Sequence, residues 1–184
     1  MNKNKRLKKR VVVIGGGSGV FNVLSSLTDY FTSLTAIVTM ADDGGSTGKL
    51  REDFGILPPG DVRRALVALA PSDKEVLSKL FNYRFSEGRG LKGHSFGNLL
   101  ITALERITGD FESALTEAGR ILNSNGRVIP VTKTKSRLIA ELEDGKRIIG
   151  ETNIDIPKHN GGLRIVDLKL KPRAVLNPRA LKAI

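Results

Sequence analysis

Hydrophobic residues follow two spacings near the start of the chain, and these predict a strand, a helix and a second strand. Residues 11–14 are a continuous run of β-branched side chains, which is typical of a strand covered on both faces. Apolar residues then recur at helical spacing over residues 20–31, and a second β-rich run covers residues 35–40. Three such elements within about thirty residues predict a right-handed βαβ unit with parallel strands.

Helical spacing continues through the middle of the chain and gives way to short strand-like runs near residue 127. Further helices are predicted over residues 62–69, 72–81, 95–107 and 111–122. Strand-like runs follow at residues 128–131, 137–142, 146–150 and 163–170. Asp144 and Gly145 between two of these runs predict a tight hairpin, and Asn177 with Pro178 predicts the start of a last helix.

This order of elements predicts an α/β fold, in which a Rossmann-like parallel sheet with flanking helices precedes a small antiparallel β-meander. The expected divisions are a basic flexible tail (1–10), a Rossmann-like nucleotide-binding region (11–126), the β-meander (127–171) and the start of a truncated C-terminal region (172–184). One βαβ unit leaves a narrow sheet with open edges, so an incomplete domain or a homo-oligomer is expected.

Composition narrows the functional classes. Hydrophobic residues make up 40% of the chain and charged residues 27%, as in an ordinary globular protein. Because there is no cysteine and only two histidines, neither a disulfide framework nor a zinc site is expected. No apolar run approaches the length of a membrane span. Six basic residues and no acidic one lie in the first ten residues, the rest of the net charge of +11 is scattered, and aromatic residues are only 5%, so nucleic acid is not an expected partner.

The glycine-rich run after the first predicted strand, called the glycine loop below, is a candidate anion site. It consists of Gly15, Gly16, Gly17, Ser18 and Gly19. Backbone N–H groups of such a turn, together with the start of the next helix, bind phosphate. The dinucleotide fingerprint needs glycine or alanine at the position that Val20 occupies, so an NAD site is not favoured. A tight turn without a ligand is the alternative.

Two adjacent carboxylates follow the second predicted strand, in a run called the acidic loop below. It comprises Asp42, Asp43, Gly44, Gly45 and Ser46. Asp42 and Asp43 could bind ribose hydroxyls or act as ligands of Mg²⁺, and loop hydrogen bonding is the alternative role. A Walker A motif is excluded, because Asp43 stands at its required glycine and Leu50 follows Lys49.

Polar residues at two later helix starts are further candidates. Asp61 is either the N-cap of its helix or an active-site carboxylate. His94 could act as a general acid or as a phosphate ligand, or it could be only a helix cap or a packing group, and Asn98 lies one turn later on the same face. Three arginines could neutralise phosphates or lie on solvated faces: Arg51, Arg63 and Arg64. The candidate catalytic residues are Asp42, Asp43, Asp61 and His94.

Four motifs in order resemble the gluconeogenesis factor family (YvcK-like), which is related to the CofD 2-phospho-L-lactate transferases. They are residues 12–19, 41–48, 58–63 and 93–99. The resemblance implies a Rossmann-like fold and a cytoplasmic bacterial protein that is required for normal growth and cell shape on gluconeogenic carbon sources. It also implies a nucleotide ligand such as a UDP-sugar.

In the CofD relatives, the two corresponding loops surround a guanine nucleotide and a deazaflavin substrate, with magnesium. The resemblance therefore implies that residues 15–19 face a nucleotide, and that Asp42 and Asp43 line its pocket together with Asp61, His94 and Asn98. Three functions stay open. One is a non-catalytic regulator that binds a nucleotide-sugar and contacts cell-wall synthesis proteins. The second is a magnesium-dependent transferase that moves a phospho-lactyl-like group from a nucleotide donor. The third is a scaffold that acts through protein contacts and the basic tail. Family members continue beyond the last predicted helix, and that continuation carries part of the ligand site.

Overall fold

The computed structural model describes residues 6–156 and 162–184, and these form two small β-sheets with eight α-helices. In chain order the elements are β1 (Leu7–Gly15), α1 (Gly17–Leu27), β2 (Phe31–Val38), α2 (Gly45–Phe54), α3 (Pro59–Ala68), a 3₁₀ turn (Ser72–Lys74), α4 (Glu75–Asn82), α5 (Phe96–Thr108), α6 (Phe111–Leu122), β3 (Gly126–Pro130), β4 (Arg137–Leu142), β5 (Arg147–Ile149), α7 (Glu151–Asp155), β6 (Ile165–Lys171) and α8 (Pro178–Ala183). Within the described ranges, no helix has the length and apolar character needed to cross a membrane.

The first sheet is parallel throughout, with strand order β1-β2-β3. Its central strand is the most buried, since residues 34–38 of β2 are all inaccessible to solvent. A strand that is covered on both faces reads as a continuous apolar run, which is what the sequence shows here. The predicted α/β fold with a parallel sheet and flanking helices is confirmed.

Helices cover both faces of this sheet. Leu24 of α1, Leu66 of α3 and Leu122 of α6 join one large core on one face. Ile37 of β2 points to the opposite face, where Ala180 of α8 packs against it. Each fully buried leucine or isoleucine contributes about 1.5–3 kcal/mol relative to an exposed one, so this core fixes the parallel sheet and the loops that leave it.

Two predicted boundaries are wrong. The first strand begins at Leu7, whose N–H donates to the Tyr30 carbonyl at 2.7 Å, so part of the expected tail of residues 1–10 belongs to β1. Residues 127–130 were expected in the β-meander, but β3 pairs in parallel with β2. Gly126 permits this pairing, because a Cβ there would lie 2.8 Å from the Leu34 carbonyl oxygen. A run of β-branched residues predicts a strand without indicating which sheet it joins.

The predicted small antiparallel sheet is confirmed, with strand order β5-β4-β6. The predicted hairpin connects β4 to β5, where the Leu142 N–H donates to the Lys146 carbonyl at 2.8 Å and Gly145 has a φ of 80°. Strand β6 then pairs with the other edge of β4. Helix α7, which follows β5 directly, was not predicted, and it brings this second sheet towards the acidic loop.

Candidate functional site

The candidate site lies at the carboxyl ends of β1 and β2. Strand β1 runs into the glycine loop and α1, whereas β2 runs through Thr39 and the acidic loop into α2. Because the two strands are parallel, both loops lie at the same edge of the sheet, where open α/β sheets bind ligands. The start of α3 completes this edge, since it carries Asp61 in its first turn.

Asp61 is bonded to the glycine loop. Its Oδ2 atom accepts from the Gly17 N–H at 2.8 Å. Gly16 must be glycine, because a Cβ there would lie 2.3 Å from Thr39 Oγ1 and 2.8 Å from Asp61 Oδ2. Burial raises the pKa of Asp61, and the neighbouring charge of Asp42 raises it further. The alternative that Asp61 is an N-cap is wrong, since α3 begins two residues earlier, at Pro59.

Asp42 approaches the start of α3 from the other side. One of its oxygens, Oδ1, accepts from the Gly44 N–H at 2.9 Å. The other, Oδ2, lies so near Gly60 that a Cβ at that glycine would be 2.7 Å away. Asp42 and Asp61 therefore converge on the first turn of α3, where the charges of Arg64 and Arg63 offset part of the effect of Asp42 on the pKa of Asp61.

Asp43 points away from this pair and connects to the second sheet. Its Oδ1 accepts from both the backbone N–H and the hydroxyl of Thr152, each at 2.9 Å. Thr152 lies in the first turn of α7, so Asp43 supplies an acceptor to that helix end. The predicted alternative of loop hydrogen bonding therefore describes the contacts of Asp43 better than a free metal ligand does.

Glu151, which the sequence did not suggest, joins the acidic group. Glu151 as a whole is exposed, but partial burial of its carboxyl raises the pKa of that group. The charges of Asp42, Asp61 and Asp43 raise this pKa further. No local signal could have placed it here, because it follows the acidic loop by more than one hundred residues.

His94 and Asn98 belong to a buried polar chain beside the acidic loop. Ser46 Oγ lies 3.1 Å from His94 Nδ1 and accepts from Asn98 Nδ2 at 3.2 Å. Asn98 Oδ1 in turn accepts from Arg63 Nε at 3.1 Å. Ser95 is the N-cap of α5, and its hydroxyl accepts from the Asn98 N–H at 3.3 Å. The predicted cap role of His94 is therefore wrong, and its side chain is joined to Ser46.

Two of the three candidate arginines hold protein groups. Arg51 donates to the carbonyls of Asp42 and Ser136 at 2.9 and 2.8 Å, so it supports the acidic loop from beneath. Arg63 donates hydrogen bonds to Asn98 and to the end of α4, and burial lowers its pKa to about 10. Arg64 stays accessible, with 45% of its side chain exposed, and its NH1 atom lies 3.4 Å from Asp61 Oδ1.

Two of the helices that start at this edge, α1 and α2, have open first turns. Glycine stands at each N-cap, at Gly16 and Gly44, and gives no side-chain oxygen to the turn. Space is also open above them, since a Cβ at Gly17, Gly19 or Gly45 would meet no atom within 4 Å. Apart from Gly17 and the N-cap Gly44, whose N–H groups donate to Asp61 and Asp42, no residue of these two turns has its N–H bonded to a described side chain. Two helix ends with free N–H groups form an anion-binding edge.

The residues fit a divalent cation only in part. Asp42 offers the accessible carboxylate chemistry that Mg²⁺ prefers, but Asp43 is engaged by Thr152. Among the described residues, no three His, Asp or Glu side chains are grouped to hold a metal ion. An ion at this edge would therefore need phosphate oxygens of a ligand to complete its coordination.

A separate cavity lies beside β3, at the edge of the parallel sheet. It has a volume of about 560 Å³ and is lined by residues of α6, β3 and α8, including Glu112, Arg127 and Arg179. None of the predicted site residues lines it, so the cavity and the candidate site are distinct features of the fold.

Comparison with known proteins adds to this geometry. The family model described as 2-phospho-L-lactate transferase CofD matches residues 11–184. A protein of Nostoc sp. is 51% identical over 95% of this chain and 38% of its own length. The gluconeogenesis factor of Bacillus subtilis is 44% identical over 91% of this chain and 51% of its own length.

A solved structure is similar as well. The crystal structure of a Bacillus halodurans protein superposes with a TM-score of 0.87 at 43% identity, and the match covers 96% of this chain and 56% of that chain. The chain spans about half the length of the proteins it matches, between 38% and 56% for these three.

Proposed function

The chain belongs to the CofD family, and on this premise we propose that its candidate site binds a nucleotide, with a UDP-sugar as the expected ligand. The observation that carries the proposal is the pair of open helix ends, α1 and α2, which face the same space beside Asp42 and Asp61. The protein would act in the cytoplasm as a gluconeogenesis factor, required for normal growth and cell shape on gluconeogenic carbon sources. Cell-wall synthesis proteins are its proposed partners.

The proposed roles follow from the charges at the site. Free N–H groups in the first turns of α1 and α2 would bind the phosphates, since both helix dipoles present their positive ends there. Asp42 and Asp61 would accept hydrogen bonds from ribose or sugar hydroxyls. Mg²⁺ would bind between Asp42 and the phosphates, and it would neutralise charge that the helix ends leave uncompensated.

A transferase of the CofD type is the second candidate. The observation that favours it is the raised pKa of Asp61, because a carboxyl that holds its proton more tightly is a better general base when ionised. Asp61 would then take a proton from the acceptor substrate. Turnover of a phospho-lactyl nucleotide that depends on Mg²⁺ and is lost in Asp61→Asn would select this function over the regulator.

Calorimetry on the complete protein tests nucleotide binding. Wild type is titrated with UDP-N-acetylglucosamine and with GTP, with and without Mg²⁺. Asp42→Asn should weaken UDP-sugar binding at least about tenfold, because a buried or desolvated hydrogen bond to a charged group contributes about 1.5–3 kcal/mol. Asp29→Asn, the same change at an exposed position beyond α1, serves as the matched control. If neither nucleotide gives a heat of binding at millimolar concentration, the proposal is overturned.

A further inference from the structure

The buried chain of polar side chains beside the acidic loop has a defined direction. Arg63 can only donate hydrogen bonds, so the Asn98 atom that faces its Nε at 3.1 Å must be the amide oxygen. The amide nitrogen of Asn98 is thereby turned to Ser46 Oγ, to which it donates at 3.2 Å. The arginine therefore fixes the orientation of the amide, an assignment that is otherwise ambiguous for asparagine.

The direction passes on to the histidine. Ser46 Oγ accepts from Asn98, and His94 Nδ1, 3.1 Å away, is the acceptor that the described residues offer to its own hydrogen. The serine oxygen has a second lone pair, but accepting from an Nδ1–H would leave the hydrogen of this buried hydroxyl without an acceptor. Nδ1 is therefore the unprotonated, accepting nitrogen of the ring. The proton of a neutral His94 is left on Nε2.

Burial makes the arrangement hard to reverse. Arg63, Ser46, Asn98 and His94 are exposed by only 5%, 5%, 2% and 7%, so water does not substitute for a lost partner. Turning the Asn98 amide would set its nitrogen against Arg63 Nε, and two buried donors facing each other cost about 1–3 kcal/mol.

The neighbouring charges act in the same sense. Burial lowers the pKa of His94, and the charge of Lys49 on α2 lowers it further; Asp53 opposes this, and Arg84 adds a smaller lowering. These effects favour the neutral ring that the hydrogen-bond directions require.

Nε2 is available to a ligand. It makes no hydrogen bond to any described residue. Since it is also not one of the fully buried polar atoms without a partner in the described part of the chain, it keeps some exposure to solvent. Ser46 belongs to the first turn of α2, one of the two open helix ends, so the His94 ring is attached directly to the proposed phosphate-binding edge.

We infer that Arg63, Asn98 and Ser46 are positioning residues that hold His94 as the Nε2–H tautomer, a neutral hydrogen-bond donor to an anionic oxygen of the ligand. The ligand part of this inference rests on the proposed nucleotide binding, whereas the tautomer does not. Ser46 and Asn98 thus act on the ligand through His94.

Nitrogen-15 NMR of the histidine rings in the ligand-free complete protein tests the tautomer. His94→Gln assigns the signals, since the chain has two histidines. At neutral pH we expect His94 with Nε2 protonated and Nδ1 bare. A ring with the proton on Nδ1, or an imidazolium at that pH, would overturn the inference.

The variant Asn98→Asp tests the direction of the chain with almost no change in shape. A carboxylate still accepts from Arg63 but cannot donate to Ser46, so the serine hydrogen turns to it and Ser46 Oγ becomes an acceptor. We expect the His94 proton to move to Nδ1. An unchanged Nε2–H tautomer in a folded Asn98→Asp protein would contradict the proposed relay.

Ser46→Ala is a second variant, should Asn98→Asp fail to fold. Removal of the hydroxyl should give a mixture of tautomers, and the wild-type spectrum remains informative in either case. Calorimetry with UDP-N-acetylglucosamine then separates the two proposals. If wild type binds and a variant with the altered tautomer binds about tenfold more weakly, positioning by the chain is supported. Equal binding by that variant would overturn the ligand role of His94, whereas failure of wild type to bind would overturn the proposed function and leave the tautomer result intact.

Discussion

Two glycines set how closely the carboxylates of the site approach the backbone. Gly16 lies against Thr39 and Asp61, and Gly60 lies against Asp42 and Thr47. Both backbones are in contact with side-chain oxygens at distances that leave no room for a Cβ. The carboxylates of Asp61 and Asp42 can therefore lie this close to the backbone only because Gly16 and Gly60 have no side chain.

Gly16→Ala should destabilise the protein by about 1–3 kcal/mol, because its Cβ would overlap Thr39 Oγ1 and force the neighbouring groups apart. Gly19→Ala is the matched control, since a Cβ there meets nothing within 4 Å and its position inside α1 favours alanine. Urea unfolding of both variants measures the difference. Equal stabilities of the two would show that the Gly16 contact is not limiting.

Asp61→Asn should change how stability depends on pH. Burial raises the pKa of Asp61 above its ordinary value of 3.8, so the folded chain holds this proton more tightly than the unfolded chain. The contribution of the group is fully present below pH 3.8 and is lost as pH rises from there through the raised pKa of the folded protein. Asparagine can still accept from Gly17, so the stability of the variant relative to wild type should rise over this interval and then level off. Parallel stability curves for the two proteins would contradict this.

At the scale of elements, two contacts join the acidic loop to the second sheet. Asp43 accepts from Thr152 at the start of α7, and Arg51 of α2 donates to the carbonyl of Ser136, just before β4. The same arginine also holds the Asp42 carbonyl at 2.9 Å. Through these contacts, the segments next to the second sheet hold the acidic loop in place.

Arg51→Met should cost about 1–3 kcal/mol, because methionine replaces the apolar stem of the arginine but leaves the carbonyls of Asp42 and Ser136 without its donor groups. Arg120→Met is the control, since Arg120 is 73% exposed and its ion pair with Glu117 is expected to contribute less than about 1 kcal/mol. Chemical denaturation of both variants checks the comparison. A loss at Arg51 no larger than that at Arg120 would refute its role in holding the acidic loop.

For the molecule as a whole, ligand binding should be felt in both sheets. At a hundred times its Kd, a nucleotide that binds only the folded state adds about 2.7 kcal/mol, which raises the Tm of a chain this size by about 5–10 °C. Hydrogen exchange should slow in the acidic loop and also in α7, because Asp43 bonds Thr152 there. Slowing confined to the parallel sheet would show that the two sheets respond separately. At the same ligand concentration, Asp42→Asn binds at least about tenfold more weakly and should gain at most about 1.4 kcal/mol.

Much of the fold was predictable because its signals are local. The runs at residues 11–14 and 35–40, the glycine loop between them and the hairpin at Asp144 each depend on a few consecutive residues. Helix α2 was missed, because Leu50 is the one fully buried apolar side chain in its polar sequence and the apolar periodicity is weak. Gly55, which ends that helix with a φ of 61°, was the available signal.

The sequence alone determined that the glycine loop and the acidic loop are candidate ligand-binding loops and that neither is a Walker A motif. These conclusions depend on four motifs and on one spacing, which are properties of neighbouring residues. The tertiary structure decided what each polar residue does. It paired β3 with β2, turned Asp43 to Thr152 across 109 positions, and placed Ser46, Asn98 and Arg63 in one buried chain with His94. The physical reason is that the packing of helices and strands determines which distant residues form hydrogen bonds. Hydrophobic periodicity along the chain predicts the elements but does not indicate these contacts.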